Sequence, residues 1–171
     1  MINRIIKGSI LSDYKRRKVI VLLGARQVGK TTLLSELCEG KDRVLSLNCD
    51  NVDDVLALEG KTTTELRQLL SSYELVFIDE AQRVKNVGLT LKMIGDLKLE
   101  TQVVVTGSSS LDMADEINEP ATGRLIEYNL FPFSLPELAL YSSEREENRL
   151  LENRMIYGLY PERCRGNRAA H

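Results

Sequence analysis

Three short runs of the chain are apolar without interruption: Val19 to Leu23, Leu75 to Ile78 and Val103 to Val105. A strand with one wet face alternates apolar and polar residues, so unbroken runs of this length, rich in Val and Ile, belong to strands covered on both faces. Arg43 to Leu47 is a weaker fourth run, and Leu125 to Leu130 a candidate fifth. Helical spacing fills the intervals. Ile5, Ile6, Ile10 and Leu11 predict a helix across Arg4 to Tyr14 that packs on the domain's edge; Leu33, Leu34 and Leu37 share one face of a helix from Thr31 to Glu39 that stops at Gly40. Thr62 and Glu65 have capping-box spacing ahead of Leu66, Leu69 and Leu70, and Val84, Val87, Leu91 and Ile94 form a further stripe. Strands that alternate with helices make a parallel sheet, because parallel neighbours need crossover connections. The predicted architecture is a three-layer α/β/α domain.

After Leu130 the pattern changes. Phe131-Pro132-Phe133-Ser134-Leu135-Pro136 is a bend-rich connector, and Pro136 to Gly158 predicts one or two helices, the second opened by a capping box of Ser143 and Glu146 and carrying Leu150, Leu151 and Met155 on its apolar side. The boundary divides residues 1–132, a core, from 133–171, a helical extension. Tyr157-Gly158-Leu159-Tyr160-Pro161-Glu162 looks like the entry to more structure, whereas Arg163 to His171 holds no core-forming residue. That combination suggests a truncated chain or an atypical C-terminus.

Bulk properties narrow the setting. A chain of 171 residues buries roughly 70% of its unfolded surface, and 43% apolar with 28% charged residues is ordinary for a soluble protein. No apolar run approaches the ~18 residues of a membrane span, and charges interrupt the N-terminal apolar residues, so no signal-peptide core forms. A soluble cytoplasmic protein with no membrane partner is the expectation. A net charge of −2 gives no global attraction to nucleic acid, and Lys15-Arg16-Arg17-Lys18 reads as a solvated turn. Cys38, Cys49 and Cys164 suit neither a disulfide framework nor a zinc site.

The chemistry begins directly after the first strand. Gly24-Ala25-Arg26-Gln27-Val28-Gly29-Lys30-Thr31 matches G-x-x-x-x-G-K-[ST] in full, and a chance match in a chain this long is on the order of one in a hundred. Glycines let such a loop turn its backbone N–H groups inward at phosphates, the following helix adds its positive end, Lys30 reaches the β- and γ-phosphates, and Thr31 offers its hydroxyl to Mg²⁺. The bland alternative, a bare turn between strand and helix, does not need this residue set. Leu75-Val76-Phe77-Ile78-Asp79-Glu80 is an apolar strand ending in two acids, 49 residues after Lys30. Alone it would be a solvated turn; beside a phosphate loop, Asp79 serves Mg²⁺ and Glu80 orients and deprotonates an attacking water. Thr106 and Ser108 leave the carboxyl end of a third strand, where open α/β sheets bind ligands. Ser108 is a candidate γ-phosphate sensor, while Ser109 or Ser110 alternatively caps a helix containing Leu111, Met113 and Ala114.

GARQVGKTTLL, VFIDEAQ, VVVTGSSS, Thr122-Gly-Arg-Leu and Leu130-Phe-Pro-Phe-Ser-Leu-Pro-Glu together resemble the AAA-type P-loop ATPase domain of a prokaryotic family normally followed by a C-terminal domain of unknown function. The resemblance runs from Arg4 to Glu162. It implies strand order 5-1-4-3-2, ATP binding and hydrolysis with Mg²⁺, and a phosphate loop of Gly24, Ala25, Arg26, Gln27, Val28, Gly29, Lys30, Thr31 and Thr32, with Arg26 placed to contact phosphate or a neighbouring acid. It makes Asp79 and Glu80 the Walker B pair, Ser108 the sensor-like position, and Gln82 a hallmark without a derivable role. Arg124 falls where AAA-type ATPases carry an arginine finger, which implies a homo-oligomer; the plain reading is a surface Arg paired with Glu119 or Glu127. The function expected is Mg-dependent ATP hydrolysis, with an ATP-binding switch of little turnover as the alternative. DNA and protein both stay open as partners.

Overall fold

The computed structural model describes residues 2–108 and 123–165; Ser109, Ser110, Leu111, Met113, Ala114, Glu119 and Thr122 fall outside them. Five strands, β1 (Val19–Leu23), β2 (Val44–Asn48), β3 (Leu75–Asp79), β4 (Gln102–Gly107) and β5 (Leu125–Asn129), form one sheet in the order β2-β3-β4-β1-β5. All pairings are parallel. This is the expected 5-1-4-3-2 order read from the opposite edge.

Why these runs become strands is visible in a transverse row: Ser46, Phe77, Val104, Ile20 and Ile126 lie in register across the sheet. The three inner members are apolar and buried, because helices cover both faces. Side chains alternate between those faces. Val19, Val21, Leu23, Val76, Ile78, Val103 and Val105 join one core cluster with Leu66, Leu70, Leu91 and Ile94; Ile20, Leu22, Leu75, Phe77 and Val104 join the other with Ile10, Leu33, Leu34 and Leu37. Each such side chain stabilises the fold by about 1.5–3 kcal/mol on full burial. The edge strands β2 and β5 are only half covered and alternate accordingly.

Among the described residues the α-helices are α1 (Ile6–Asp13), α2 (Lys30–Cys38), α3 (Val52–Leu58), α4 (Thr63–Leu70), α5 (Val87–Asp96), α6 (Leu135–Tyr141), α7 (Glu144–Arg149), α8 (Leu151–Tyr157) and α9 (Pro161–Arg165). The predicted capping box at α4 is present in both directions, Glu65 N–H to Thr62 Oγ1 and Thr62 N–H to Glu65 Oε2 at 2.8 Å. Helix α3 was not expected from the pattern.

Pro136 to Gly158 is not one or two helices but parts of α6 and all of α7 and α8. Ser143 accepts from Glu146 N–H, but the return half of that box is replaced, since the Glu146 carboxylate takes Arg149 at 2.8 Å instead. The apolar side expected of this segment is inverted as well. Met155 is 79% exposed, while Arg154 is buried against Glu147, its Nε 3.1 Å from Oε2. A buried ion pair must keep both charges matched, so the pair sets which side of α8 turns inward. The cysteines are unbonded, and burial pushes the Cys49 thiol up to about 11, which leaves it inert at neutral pH. Among the described residues no helix is long and apolar enough to cross a membrane.

Candidate functional site

Parallel strands bring their carboxyl ends to one edge, so the loops after β1 and β3 meet there beside the end of β4 and Ser108. The loop after β1 is shaped by two backbone requirements. Gly24 has no room for a side chain: a Cβ there would stand 2.6 Å from the Leu130 carbonyl oxygen. Gly29 has φ of +100°, and Gln27 also sits in the left-handed region with φ of +62°. Left-handed residues on both sides of Val28 reverse successive peptides, which is how a backbone nest of N–H donors forms ahead of a helix.

The nine loop residues divide by task. Arg26, Gln27, Gly29, Lys30, Thr31 and Thr32 line an open cleft of about 570 Å³. Gly24 and Ala25 accept from the Lys30 ammonium at 2.8 and 3.1 Å. Val28 instead turns its side chain into the core, where it is fully buried. Burial pushes the Lys30 pKa down; the carboxylates of Glu80 and Asp79 oppose that, and Arg26 adds to it. Its ammonium is held by the two loop carbonyls, with both acids near enough to favour the charged form.

Across the cleft, Asp79 closes β3. Its Oδ2 is 3.4 Å from the Thr31 hydroxyl, so two residues 48 positions apart converge as the sequence predicts. Its Oδ1 accepts from the Thr106 hydroxyl and from Glu80 N–H at 3.1 Å. Thr106 is entirely buried, and its hydroxyl also accepts from Glu80 N–H at 3.2 Å; it anchors Asp79 rather than facing the cleft. Glu80 turns the chain with φ of +53°, a conformation costly for a residue with a Cβ, and its side chain lines the cleft.

Gln82, which had no derivable role, now has contacts. Its amide donates to the Glu80 carboxylate, and its Oε1 accepts from Ser108 N–H at 3.4 Å. Ser108 is thereby brought to the same constellation through its backbone. Thr31 and Asp79 fit Mg²⁺ in kind: they are hard oxygen donors, and this ion takes one or two protein ligands and completes its shell with water and phosphate. No cluster of three or more His, Cys, Asp or Glu side chains able to cage a metal exists among the described residues.

Arg124 is elsewhere. Its carbonyl accepts from Val19 N–H, at the amino ends of β1 and β5, so it lies at the opposite edge of the sheet from its own chain's cleft. Its Nε meets Asp96 Oδ1 at 2.5 Å, a partner the sequence did not suggest, while the alternative Glu119 lies outside the described residues. The sequence did not place Asp50, Pro161 and Glu162 on the cleft wall or Arg4, which the resemblance includes, buried behind the loop. No local spacing announces them, because each arrives from a distant segment.

A family model for an AAA domain matches residues 16–139, a span that contains the phosphate loop, both acids, Gln82 and Arg124. The chain belongs to the AAA domain family. A Walker-type ATPase of Pyrococcus abyssi has a similar structure, with a TM-score of 0.60 and 18% sequence identity; the match covers 96% of this chain and 66% of that one. At that identity the likeness concerns the fold, and the present AAA domain spans just under two thirds of the other protein. No curated protein matches the chain.

Proposed function

We propose that this AAA domain binds Mg·ATP in the cleft and hydrolyses the β–γ bond. The observation that carries the reading is the approach of two distant chain segments at one cleft: Lys30, Thr31 and Glu80 line it, and Asp79 meets Thr31. Lys30 exchanges its loop carbonyls for the β- and γ-phosphates, and the loop N–H groups take the remaining charge. When bound, Mg²⁺ would neutralise phosphate oxygens, held by Thr31 and Asp79. Glu80 takes the proton of the attacking water, and Gln82 fixes the direction of its carboxylate. Adenine preference rests on the family resemblance alone.

Hydrolysis is favoured over a switch of little turnover because Glu80, adjacent to Asp79, lines the cleft with the loop, the position a general base needs to reach an attacking water. In trans, Arg124 of a second copy would stabilise transition-state charge, an effect worth about 10³–10⁵ in rate. Its pair with Asp96, between side chains 37% and 49% exposed, is itself worth about 0–1 kcal/mol. The site reading is tested by titrating ATP into the protein and into Lys30→Ala: the variant is expected to lose affinity at least tenfold, on the order of one charge-assisted hydrogen bond, and equal affinities would overturn it.

A further inference from the structure

Arg4 precedes α1, far from the loop in sequence, yet its side chain is 5% exposed and is spent on four partners. One arm of the guanidinium donates to the Val28 carbonyl. The other donates to the Phe131 carbonyl at 3.0 Å and to Glu137 Oε2 at 3.4 Å, and the plane lies over the Phe133 ring, 4.0 Å from its centre. Glu137 is buried too, and its second oxygen accepts from Ile5 N–H at 3.0 Å, which locks the segment that carries Arg4.

The Val28 contact has a geometric consequence. The carbonyl of Val28 and the N–H of Gly29 belong to one planar trans peptide and point in opposite directions. A guanidinium that holds the carbonyl from behind the loop, on the side of Phe133 and Glu137, therefore turns the Gly29 N–H the other way, and Gly29 lines the cleft. That peptide is the one in the loop most easily flipped, because the residue after it has no Cβ to resist rotation.

We propose that Arg4 is a positioning residue: by fixing the Val28–Gly29 peptide it aims the Gly29 N–H at a phosphate group in the cleft. Arg is required, since one planar fork serves two carbonyls and a carboxylate at once, and a lysine head group cannot span them. The orientation of the peptide stands on the contacts alone; the phosphate as its target rests on the nucleotide reading.

The test is Arg4→Lys, compared with the parent at a temperature where circular dichroism shows both folded. Amide resonances report the loop without any ligand, and the Gly29 amide is expected to shift and to exchange with solvent about tenfold faster, as a locally freed peptide does. ADP and ATP affinities are expected to fall together by about tenfold, with kcat held within about twofold, the signature of lost uniform binding. Unchanged Gly29 amide behaviour overturns the proposal, because a residue that merely stabilises the fold would lower the melting point and leave that amide alone. A shifted amide with unchanged affinity refutes the phosphate role. If the parent binds neither nucleotide, the site reading fails, and the amide still decides whether Arg4 orients the peptide. If Arg4→Lys does not fold, Glu137→Gln, which keeps the guanidinium and removes its buried counter-charge, is expected to move the Gly29 amide in the same direction; an unmoved amide there overturns the proposal equally.

Discussion

Gln82 spends both ends of one amide on the site, donating to the Glu80 carboxylate and accepting from Ser108 N–H. Replacing it by Leu preserves volume and removes both contacts. Glu80 then keeps its place in the chain but loses its direction, so Gln82→Leu should lower ATP turnover about tenfold while ATP affinity from titration stays unchanged. Thr106 acts one step further from the cleft. Thr106 is fully buried and its hydroxyl donates to the half-buried Asp79 carboxylate, and Thr106→Val is expected to reduce unfolding stability by about 1.5 kcal/mol, measured by urea denaturation. The loop and the two acids were legible as residue types at fixed spacing after apolar runs. Gln82 and Thr106 were visible in position but not in role, because a hydrogen bond across 26 or 27 residues exists only once β3 and β4 are neighbours.

At the level of elements, legibility followed locality. The α4 capping box needs only residues 62 and 65, and both halves form. Helix α3 went unread although Val52, Val55 and Leu56 have helical spacing, and that stripe does not mark the buried side: Val52 and Leu56 are 69% and 60% exposed, and Leu58 alone is fully buried. What starts it is Asn51, whose side chain accepts from Asp53 N–H at 3.2 Å. The two ends of this short helix should therefore differ in worth. Asn51→Ala is expected to cost about 0.5–2 kcal/mol as a lost cap, and Leu58→Ala about 2–5 kcal/mol as a core truncation; comparison of their denaturation midpoints checks the order. Helix α8 was misjudged for the opposite reason. Its inward side is set by the Arg154–Glu147 pair, a tertiary choice that no apolar periodicity encodes.

On the scale of the molecule, five parallel strands gather the chemistry at one edge and leave Arg124 at the other. The strand order was legible through the family resemblance, whereas alternation of strands and helices alone gave only the three layers. The approach of Pro161 and Glu162 to the cleft was not legible, since it depends on how the helices after β5 fold back. A finger that works in trans makes the rate depend on assembly: specific ATP turnover should rise with protein concentration and lose that rise in Arg124→Ala, and a rate per molecule independent of concentration in both would exclude the finger. The most direct test of the site as an ATP-hydrolysing centre is Glu80→Gln, assayed for ATP binding by titration and for turnover by phosphate release. The expected result is parental affinity with turnover reduced at least about a hundredfold, the lower range for loss of a general base; a variant that hydrolyses ATP at the parental rate would contradict the account.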